Sequence, residues 1–310
     1  MDEELGPVAL TRELKERGYD RRTLGRLVQQ GEIDRVRRGA YADPLAEPMR
    51  EDERQRTKHR RLVMATVPQL ALDACVSHTS AAVLHDLPIP PGLGPVHVTR
   101  SRQSGQGRLS ANIHVHGAPL PDSDLELVDG VLVTTIPRTV MDCARILPLG
   151  RGVAMADAAL HQELTDKDEL SAVAASLGRR AGNARARTVV ELADGRSESP
   201  GESLSRIKFV QSRIPAPDLQ REFYTDDGVW VARVDFDWDD FRLVGEFDGK
   251  IKYGRDFRPG VPIEEIVYEE KLREDAIREL DRGVVRWTWA DIFSGRLLTK
   301  VQRALDRGSR

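Results

Sequence analysis

The amino-acid sequence predicts an α/β protein of several domains, and three observations support this. A basic segment near the N-terminus alternates helix and turn signals, and the middle of the chain mixes strand-like with helical patterns. The C-terminal part shows two strands joined by a short turn and followed by a long helix. With 310 residues the chain is long enough for two or three domains, and we predict segments 1–61, 62–195 and 196–310.

The composition indicates a globular protein of the cytoplasm. Apolar residues make up 40% of the chain and charged residues 31%, and no apolar run is long enough to cross a bilayer. The first ten residues, MDEELGPVAL, lack the basic start and apolar core of a signal peptide. Cys75 and Cys143 each stand in an apolar stretch, so we expect buried free thiols rather than a disulfide. We therefore predict no membrane contact.

The first segment predicts two short helices and a hairpin. Gly18 ends the first helix, Asp20 caps the second, and Gly31 ends it. Apolar residues at helical spacing and then in the hairpin supply the inward face; they are Val8, Leu10, Leu14, Leu24, Leu27, Val28, Ile33, Val36 and Tyr41. A helix, a tight turn, a second helix and a basic hairpin form the layout of a winged helix-turn-helix.

The same segment is locally basic, although the whole chain has a net charge of -3. Between residues 12 and 38 there are nine Lys or Arg and five acids. The second helix is expected to present Arg21, Arg22, Thr23 and Arg26 to a major groove of double-stranded DNA. The hairpin is expected to lay Arg35, Arg37 and Arg38 against phosphates. A small helical module with a solvated basic face is the alternative.

The stretch LGRLVQQGEIDRVRRGAYADP resembles the N-terminal domain of AbiEi-type antitoxins, which are transcriptional regulators of type IV toxin-antitoxin systems. The resemblance covers about the first fifth of the chain and continues weakly into the middle. It implies a winged helix that binds operator DNA. A cognate toxin is the implied partner if the chain is antitoxin-like.

The middle segment predicts strands over 96–100, 112–117 and 125–136, with helices before them and after Pro137. His78 and His85 are seven residues apart, so a helix would place them on one face. A metal pair prefers a spacing of four with a third ligand, and we expect a structural hydrogen-bonding role. The resembling family has a similar SH-x-SAA-x-LH stretch, which favours that role. His114 and His116 share a strand face, where exposure or a phosphate contact would explain them.

The stretch VARVDFDWDDFRLVGEFDGKIKYG predicts a half-buried hairpin with its turn at Asp239-Asp240. A hairpin symmetric about that turn places Asp235 beside Gly245 and Glu246. Neighbouring carboxylates raise each other's pKa unless a cation neutralises them, and hard oxygen ligands suit Mg²⁺ or Mn²⁺. Glu202, in the first turn of the preceding helix, is a candidate third carboxylate.

The C-terminal segment resembles PD-(D/E)XK nucleases, in particular the small domains related to very-short-patch repair endonucleases. The stretches RVDFDW, LVGEFDGK and REDAIRELDRGVVRWTWADI carry the resemblance, over roughly residues 196–310. It implies a restriction-endonuclease-like mixed sheet flanked by helices, with the metal on Asp235 and Glu246 and a catalytic lysine. The usual lysine position holds Asp248, a departure from the pattern. A catalytic lysine can migrate in this superfamily, and Lys250, Lys252 and Lys271 are the candidates. Alternatively Asp248 replaces Glu246 as ligand and Lys250 has the usual spacing.

These observations predict a DNA-binding protein whose C-terminal domain is a Mg²⁺-dependent endonuclease. The predicted catalytic set is Asp235, Glu246, Lys250 and Glu202, and the predicted metal ligands are Asp235, Glu246 and Asp248. The alternative is an AbiEi-like antitoxin and transcriptional regulator in which the nuclease-like domain is inactive. A third possibility is an interaction scaffold without DNA contact, against which the basic N-terminal segment argues.

Overall fold

A computed structural model describes residues 5–71, 73–101, 107–110, 112–249 and 263–308 of the chain. The chain divides into two compact units. The first unit comprises Met1–Ile146 and Asp168–Ala186, and the second comprises Leu147–Lys167 and Arg187–Arg310. The three segments expected from the sequence, with boundaries near residues 61 and 195, stay a prediction.

Twelve α-helices and thirteen strands lie in the described residues. The helices are α1 Thr11–Glu16, α2 Arg21–Gln30, α3 Glu51–Thr66, α4 His78–Leu84, α5 Ile136–Ile146, α6 Leu149–His161, α7 Lys167–Ser176, α8 Asn183–Leu192, α9 Pro200–Gln211, α10 Ile263–Glu279, α11 Trp289–Ser294 and α12 Arg296–Gly308. The strands are β1 Ala9–Leu10, β2 Asp34–Arg37, β3 Ala40–Ala42, β4 Ala74–Val76, β5 Val96–Arg100, β6 Gly107–Ser110, β7 Ile113–Gly117, β8 Leu125–Val128, β9 Val131–Thr134, β10 Asp218–Tyr224, β11 Trp230–Trp238, β12 Leu243–Asp248 and β13 Gly283–Thr288. They form three sheets, which confirms the predicted α/β class. None of the described helices combines the length and the apolar character that a bilayer span requires.

The helix–hairpin segment, residues 9–42, places α1 and α2 beside a three-stranded sheet of order β1-β3-β2. Helix α2 begins where expected, because the Asp20 carboxylate accepts a hydrogen bond from the Thr23 amide at 2.7 Å. It ends at Gly31, whose φ of 72° lies in the left-handed region that favours glycine. A small core joins both helices to the hairpin through Leu14, Leu24, Leu27 and Ile33.

The other sheet of the first unit has six strands in the order β6-β7-β5-β4-β9-β8. Strand alternation divides its residues between two faces. One face packs with α3 and α4 through the valines Val76, Val96, Val98, Val115 and Val133. The opposite face of β5 and β7 carries His97, Thr99, His114 and His116. The parallel register sets His97 beside His114 and Thr99 beside His116.

The second unit is built on a four-stranded sheet of order β10-β11-β12-β13. Strands β11 and β12 form the predicted hairpin, with Phe236 opposite Gly245. Strand β13 runs parallel to β12 after the long helix α10, the crossover that a parallel pair needs. A core between the sheet and α9, α11 and α12 contains the buried aromatic residues Phe209, Phe236, Trp238 and Trp287.

Both cysteines are buried free thiols, as predicted. Burial raises the pKa of the Cys75 thiol to about 12, and burial also holds the pKa of Cys143 well above its ordinary value. A thiol with so high a pKa stays protonated at neutral pH and is a poor nucleophile. The two cysteines therefore contribute to packing.

Replacement of Gly245 with alanine is expected to destabilise the second unit. A Cβ atom at this position would lie 2.7 Å from the Trp287 ring and 2.8 Å from the Trp238 ring. Overpacking of this kind costs roughly 1–3 kcal/mol of unfolding free energy. Urea denaturation followed by tryptophan fluorescence measures the decrease, since all four tryptophans lie between residues 230 and 289.

The matched control is Gly283→Ala, in the neighbouring strand β13. The nearest atom to a Cβ at Gly283 is a methyl carbon of Leu243 at 3.5 Å, an ordinary contact distance. This control is expected to change the unfolding free energy by at most about 0.5 kcal/mol. Equal stability of Gly245→Ala and the wild type would contradict the packing described here.

Candidate nucleic-acid interface and carboxylate cluster

One face of helix α2 is covered with exposed arginines, which are Arg21, Arg22 and Arg26. Leu24 and Leu27 on the opposite face are buried in the core of the helix–hairpin segment. Thr23, the fourth residue predicted to meet DNA on this helix, is half-buried in the first turn. The helical period accordingly gives α2 one anchored apolar face and one cationic face in solvent.

The hairpin carries two exposed arginines, Arg35 and Arg38, and one that is engaged within the protein. Arg37 is half-buried, and its Nε donates a hydrogen bond to the carbonyl oxygen of Ala65 at 3.1 Å. Its Nη1 donates to the carbonyl oxygen of Arg38 at 2.8 Å. Because Ala65 belongs to α3, Arg37 fastens the hairpin to that helix. The sequence predicted a phosphate contact for Arg37 and offered no sign of this role.

The guanidinium N–H donors of the exposed arginines in the helix–hairpin segment are free to bind a ligand. Across the described residues, none of the following forms a side-chain hydrogen bond or an ion pair: Arg21, Arg22, Arg26, Arg35 and Arg38. A guanidinium offers five N–H donors in a planar fork that matches phosphate oxygens and guanine edges. The helix face and the hairpin thus form a candidate nucleic-acid interface.

A second candidate site lies where helix α9 meets strands β10 and β11. The side-chain amide of Gln220 donates to Glu202 Oε2 at 2.9 Å and to Asp235 Oδ1 at 3.4 Å. Asp235 Oδ2 accepts a hydrogen bond from the Phe247 amide at 2.8 Å, and Glu202 Oε1 accepts one from the Ser199 hydroxyl at 2.5 Å. We name Glu202, Gln220 and Asp235 the carboxylate cluster. It brings the predicted third carboxylate to Asp235.

The carboxylate cluster concentrates negative charge in a buried place. Burial, and then repulsion from Glu202, raise the pKa of Asp235 to about 6. Burial also raises the pKa of Glu202. Within the described ranges neither carboxylate forms an ion pair, whereas Asp157 pairs with Arg206 at 2.7 Å elsewhere in the same unit. A cation bound here would relieve both the desolvation and the repulsion.

Glu246, the predicted partner of Asp235 in metal binding, is engaged by two arginines. Its Oε1 lies 2.6 Å from Nη2 of Arg273 on α10, and its Oε2 lies 3.0 Å from Nε of Arg286 on β13. Two guanidinium groups therefore neutralise Glu246, which the sequence predicted to bind a metal ion. No pattern in the sequence indicates either arginine, because both follow the hairpin by 25 residues or more. Only the connection through α10 and β13 brings them back beside β12.

The predicted ligands Asp235, Glu246 and Asp248 are not gathered as a close trio. Among the described residues, one group of three potential metal ligands has all its ligand atoms within 4.8 Å of one another. That group consists of three histidines and contains none of these acids. Lys250, the predicted catalytic lysine, and Lys252 lie outside the described residues. A metal role for Asp235, Glu246 and Asp248 stays a prediction.

Gln220 is the member of the carboxylate cluster that sequence analysis missed. It lies in strand β10 with a φ of 54°, in the left-handed region. A residue other than glycine adopts this conformation at a cost of roughly 1–2 kcal/mol. No pattern of hydrophobicity signals such a backbone, and pairing of β10 with β11 is needed to bring the side chain to Asp235.

Residues 3–42 match the protein family described as "Transcriptional regulator, AbiEi antitoxin". The resemblance of the N-terminal segment to AbiEi antitoxins is confirmed for these residues. The rest of the chain lies outside that match. The resemblance of segment 196–310 to nucleases therefore stays a prediction.

Two proteins of Mycobacterium tuberculosis are similar over a larger part of the chain. Uncharacterized protein Rv2248 of strain ATCC 25618 / H37Rv and Uncharacterized protein MT2308 of strain CDC 1551 / Oshkosh are each 35% identical over 187 residues. The similarity covers 59% of this chain and 65% of the length of each relative. The crystal structure of RV2827C protein from Mycobacterium tuberculosis has 13% identity and a TM-score of 0.39, and covers 70% of this chain and 83% of that chain. That score is too low to support a fold assignment.

Replacement of Asp235 with asparagine is expected to remove a pH-dependent decrease in stability. Folding raises the pKa of Asp235 from 3.8 to about 6, so the folded state binds more protons than the unfolded state in this window. The contribution of Asp235 to the unfolding free energy therefore falls as the pH rises from about 4 to about 6. A shift of about two pKa units corresponds to at most about 3 kcal/mol.

The measurement is urea denaturation of the wild type and Asp235→Asn at a series of pH values, followed by tryptophan fluorescence. The unfolding free energy of the variant minus that of the wild type should increase between about pH 4 and 6 and then level off. A difference that stays constant from about pH 4 to 8 would show that Asp235 is not perturbed as described.

Proposed function

We propose that this chain is a DNA-binding transcriptional regulator of the AbiEi antitoxin type. The helix–hairpin segment then serves as a winged helix-turn-helix on operator DNA. The observation that carries the proposal is the coincidence of the family match at residues 3–42 with the exposed arginines of α2 and the hairpin. The regulator is cytoplasmic in this proposal, and a cognate toxin is its second partner.

Helix α2 is the recognition helix in this proposal. Its buried leucines hold it against the small core, and its cap at Asp20 fixes the first turn. The exposed side chains of Arg21, Arg22 and Arg26 then reach base edges in the major groove, with Thr23 at the helix start. A helix anchored by its apolar face loses little conformational freedom when it binds, which favours affinity.

The hairpin is the wing. Arg35 and Arg38 contact phosphates, which adds affinity without sequence preference. Arg37 acts within the protein, since its hydrogen bond to Ala65 sets the position of the wing beside α3. The bases and the phosphates are accordingly contacted by different arginines. Loss of a phosphate-contacting arginine should lower the salt dependence of binding, whereas loss of a base-contacting arginine should mainly lower specificity.

Alanine at both Arg21 and Arg22 is expected to weaken specific DNA binding about tenfold to a thousandfold, since a bidentate base contact contributes roughly 1–3 kcal/mol. The duplex is obtained by selecting from a random double-stranded library with the wild-type protein. Fluorescence anisotropy over a range of salt concentrations then measures affinity. Alanine at Arg35 and Arg38 should lower the salt slope by about one for each of these arginines that neutralises a phosphate.

The matched control is the double variant Arg213→Ala/Arg303→Ala, which removes two exposed arginines of the second unit. It has the same change in charge and should bind as the wild type does. The proposal fails if no sequence is selected by the wild type. It also fails if Arg21→Ala/Arg22→Ala binds the selected duplex as tightly as the control variant.

We infer a second candidate function, metal-dependent cleavage of phosphodiester bonds, from the carboxylate cluster. A buried and a half-buried carboxylate held by one amide, without an ion pair among the described residues, are a suitable donor set for Mg²⁺ or Mn²⁺. Glu202 and Asp235 would hold the ion, and Glu246 fits less well because Arg273 and Arg286 engage it. A metal bound there would polarise a phosphate and lower the pKa of a water.

Plasmid DNA incubated with Mg²⁺ or Mn²⁺ tests this second function. Nicking or linearisation is expected for the wild type, should stop with EDTA, and should fall at least tenfold in Asp235→Asn and Glu202→Gln. Asp240→Asn is the matched control, because Asp240 is an exposed acid at the hairpin turn. Equal cleavage by all four proteins would identify a contaminant, and intact plasmid in every sample would leave the regulator as the function.

A further inference from the structure

A group of histidines in the first unit shares no residue with the two sites described above. His97 and His116 stand on one face of the paired strands β5 and β7, and His78 is the first residue of α4. Each of the three offers a ring nitrogen, and these nitrogens all lie within 4.8 Å of one another. We name His78, His97 and His116 the histidine triad.

We propose that the histidine triad is a binding site for a divalent transition-metal ion of the Zn²⁺ type. Imidazole nitrogens suit Zn²⁺, Ni²⁺ or Co²⁺, whereas Mg²⁺ prefers oxygen ligands. Three histidines leave a coordination position for a water or another ligand. His97 and His116 are half-buried, so that position is accessible from solvent.

The distances within the triad are close to those that a shared ion requires. His97 Nδ1 and His116 Nε2 are 2.9 Å apart, and Zn–N bonds of about 2.0–2.1 Å place two ligands of one ion roughly 3 Å apart. The rings of His78 and His116 are stacked with centroids 3.6 Å apart, so their lone pairs lie in nearly parallel planes that do not converge on one ion. Binding therefore requires the rings to turn about χ2, a soft torsion.

Further polar groups orient the triad as outer-shell groups do in metal sites. The Ser77 hydroxyl lies 2.9 Å from His78 Nδ1, and the Thr99 hydroxyl donates to Ser77 at 2.8 Å. Such a contact fixes the tautomer of a ligand histidine and directs its other nitrogen toward the ion. The Ser80 hydroxyl accepts a hydrogen bond from the His97 amide at 2.9 Å, which anchors strand β5 at this point.

His78 is held in a conformation that histidine rarely adopts. Its φ is 53°, in the left-handed region, and only 2% of its surface is exposed. Strained residues of this kind persist where the surrounding structure fixes them, and they concentrate at functional sites. The strain at His78 has a clear geometric result, since it brings the ring to His116 at the very start of α4.

The triad differs from the pair that the sequence suggested. His85 ends α4 and its Nε2 contacts the carbonyl oxygen of Thr134 at 2.7 Å, a structural hydrogen bond. His114 stacks on His116 with centroids 4.5 Å apart but does not belong to the triad. A hydrogen-bonded polar layer without metal is the alternative explanation of these histidines, and the experiment separates the two.

Untagged full-length protein, freed of metal with a chelator, is titrated with Co²⁺ and then with Zn²⁺. The expected result is one equivalent of Co²⁺ with visible d–d absorption, displaced by Zn²⁺, and a higher melting temperature with metal. His97→Gln and His116→Gln should each weaken Co²⁺ binding at least tenfold. Ser77→Ala should weaken it about tenfold through the outer shell.

The matched control is His161→Gln, which removes an exposed histidine of the second unit and should bind Co²⁺ as the wild type does. Circular dichroism establishes that each variant is folded. The proposal is overturned if metal-free wild type shows no Co²⁺ absorption. It is equally overturned if folded His97→Gln and His116→Gln bind Co²⁺ as tightly as His161→Gln.

Discussion

The cost of burying ionisable side chains is the constraint on which this structure most depends. A buried charge without compensation costs several kcal/mol, so each one needs a partner. In the second unit Arg206 on α9 reaches Asp157 on α6 at 2.7 Å, and Arg282 reaches Asp237 on β11 at 2.5 Å. Each such pair joins elements that are far apart in sequence, and the pairs together favour a single packing of helices against the sheet.

The candidate sites are the places where this compensation is incomplete. Glu202 and Asp235 share one amide, burial raises the pKa of both, and repulsion from Glu202 raises the pKa of Asp235 further. The exposed arginines of α2 show the opposite situation, since solvent rather than a carboxylate stabilises their charge. Perturbed or unmatched charges are enriched at sites where another molecule binds.

The two ion pairs of Glu246 favour regulation over DNA cleavage as the function of this chain. A carboxylate bound by Arg273 and Arg286 has to exchange two charged partners before it coordinates an ion. Arg273 lies on α10, and Arg286 lies on β13, the strand that pairs with β12. An arginine pair of this kind stabilises the sheet without any metal. The helix–hairpin segment needs no such rearrangement to meet a polyanion.

Hydrogen bonds connect the histidine triad with the helix–hairpin segment. His59 on α3 contacts Ser80 on α4 at 2.8 Å, and Ser80 holds the His97 amide. Six residues further along α3, the carbonyl oxygen of Ala65 accepts a hydrogen bond from Arg37 of the hairpin. Helix α3 therefore contacts both the hairpin and Ser80, the residue that anchors strand β5.

The sequence by itself determined the local helices and hairpins. Asp20 and Gly31 bound a helix, and alternation about Asp239-Asp240 set the hairpin register, because caps, glycines and strand periodicity act over a few residues. Tertiary structure alone decided the partners. It joined Glu246 to two arginines, Arg37 to Ala65 and His78 to His116, since strand order and crossovers bring together residues that lie 27 to 40 positions apart. Local patterns carry no information about contacts over such separations.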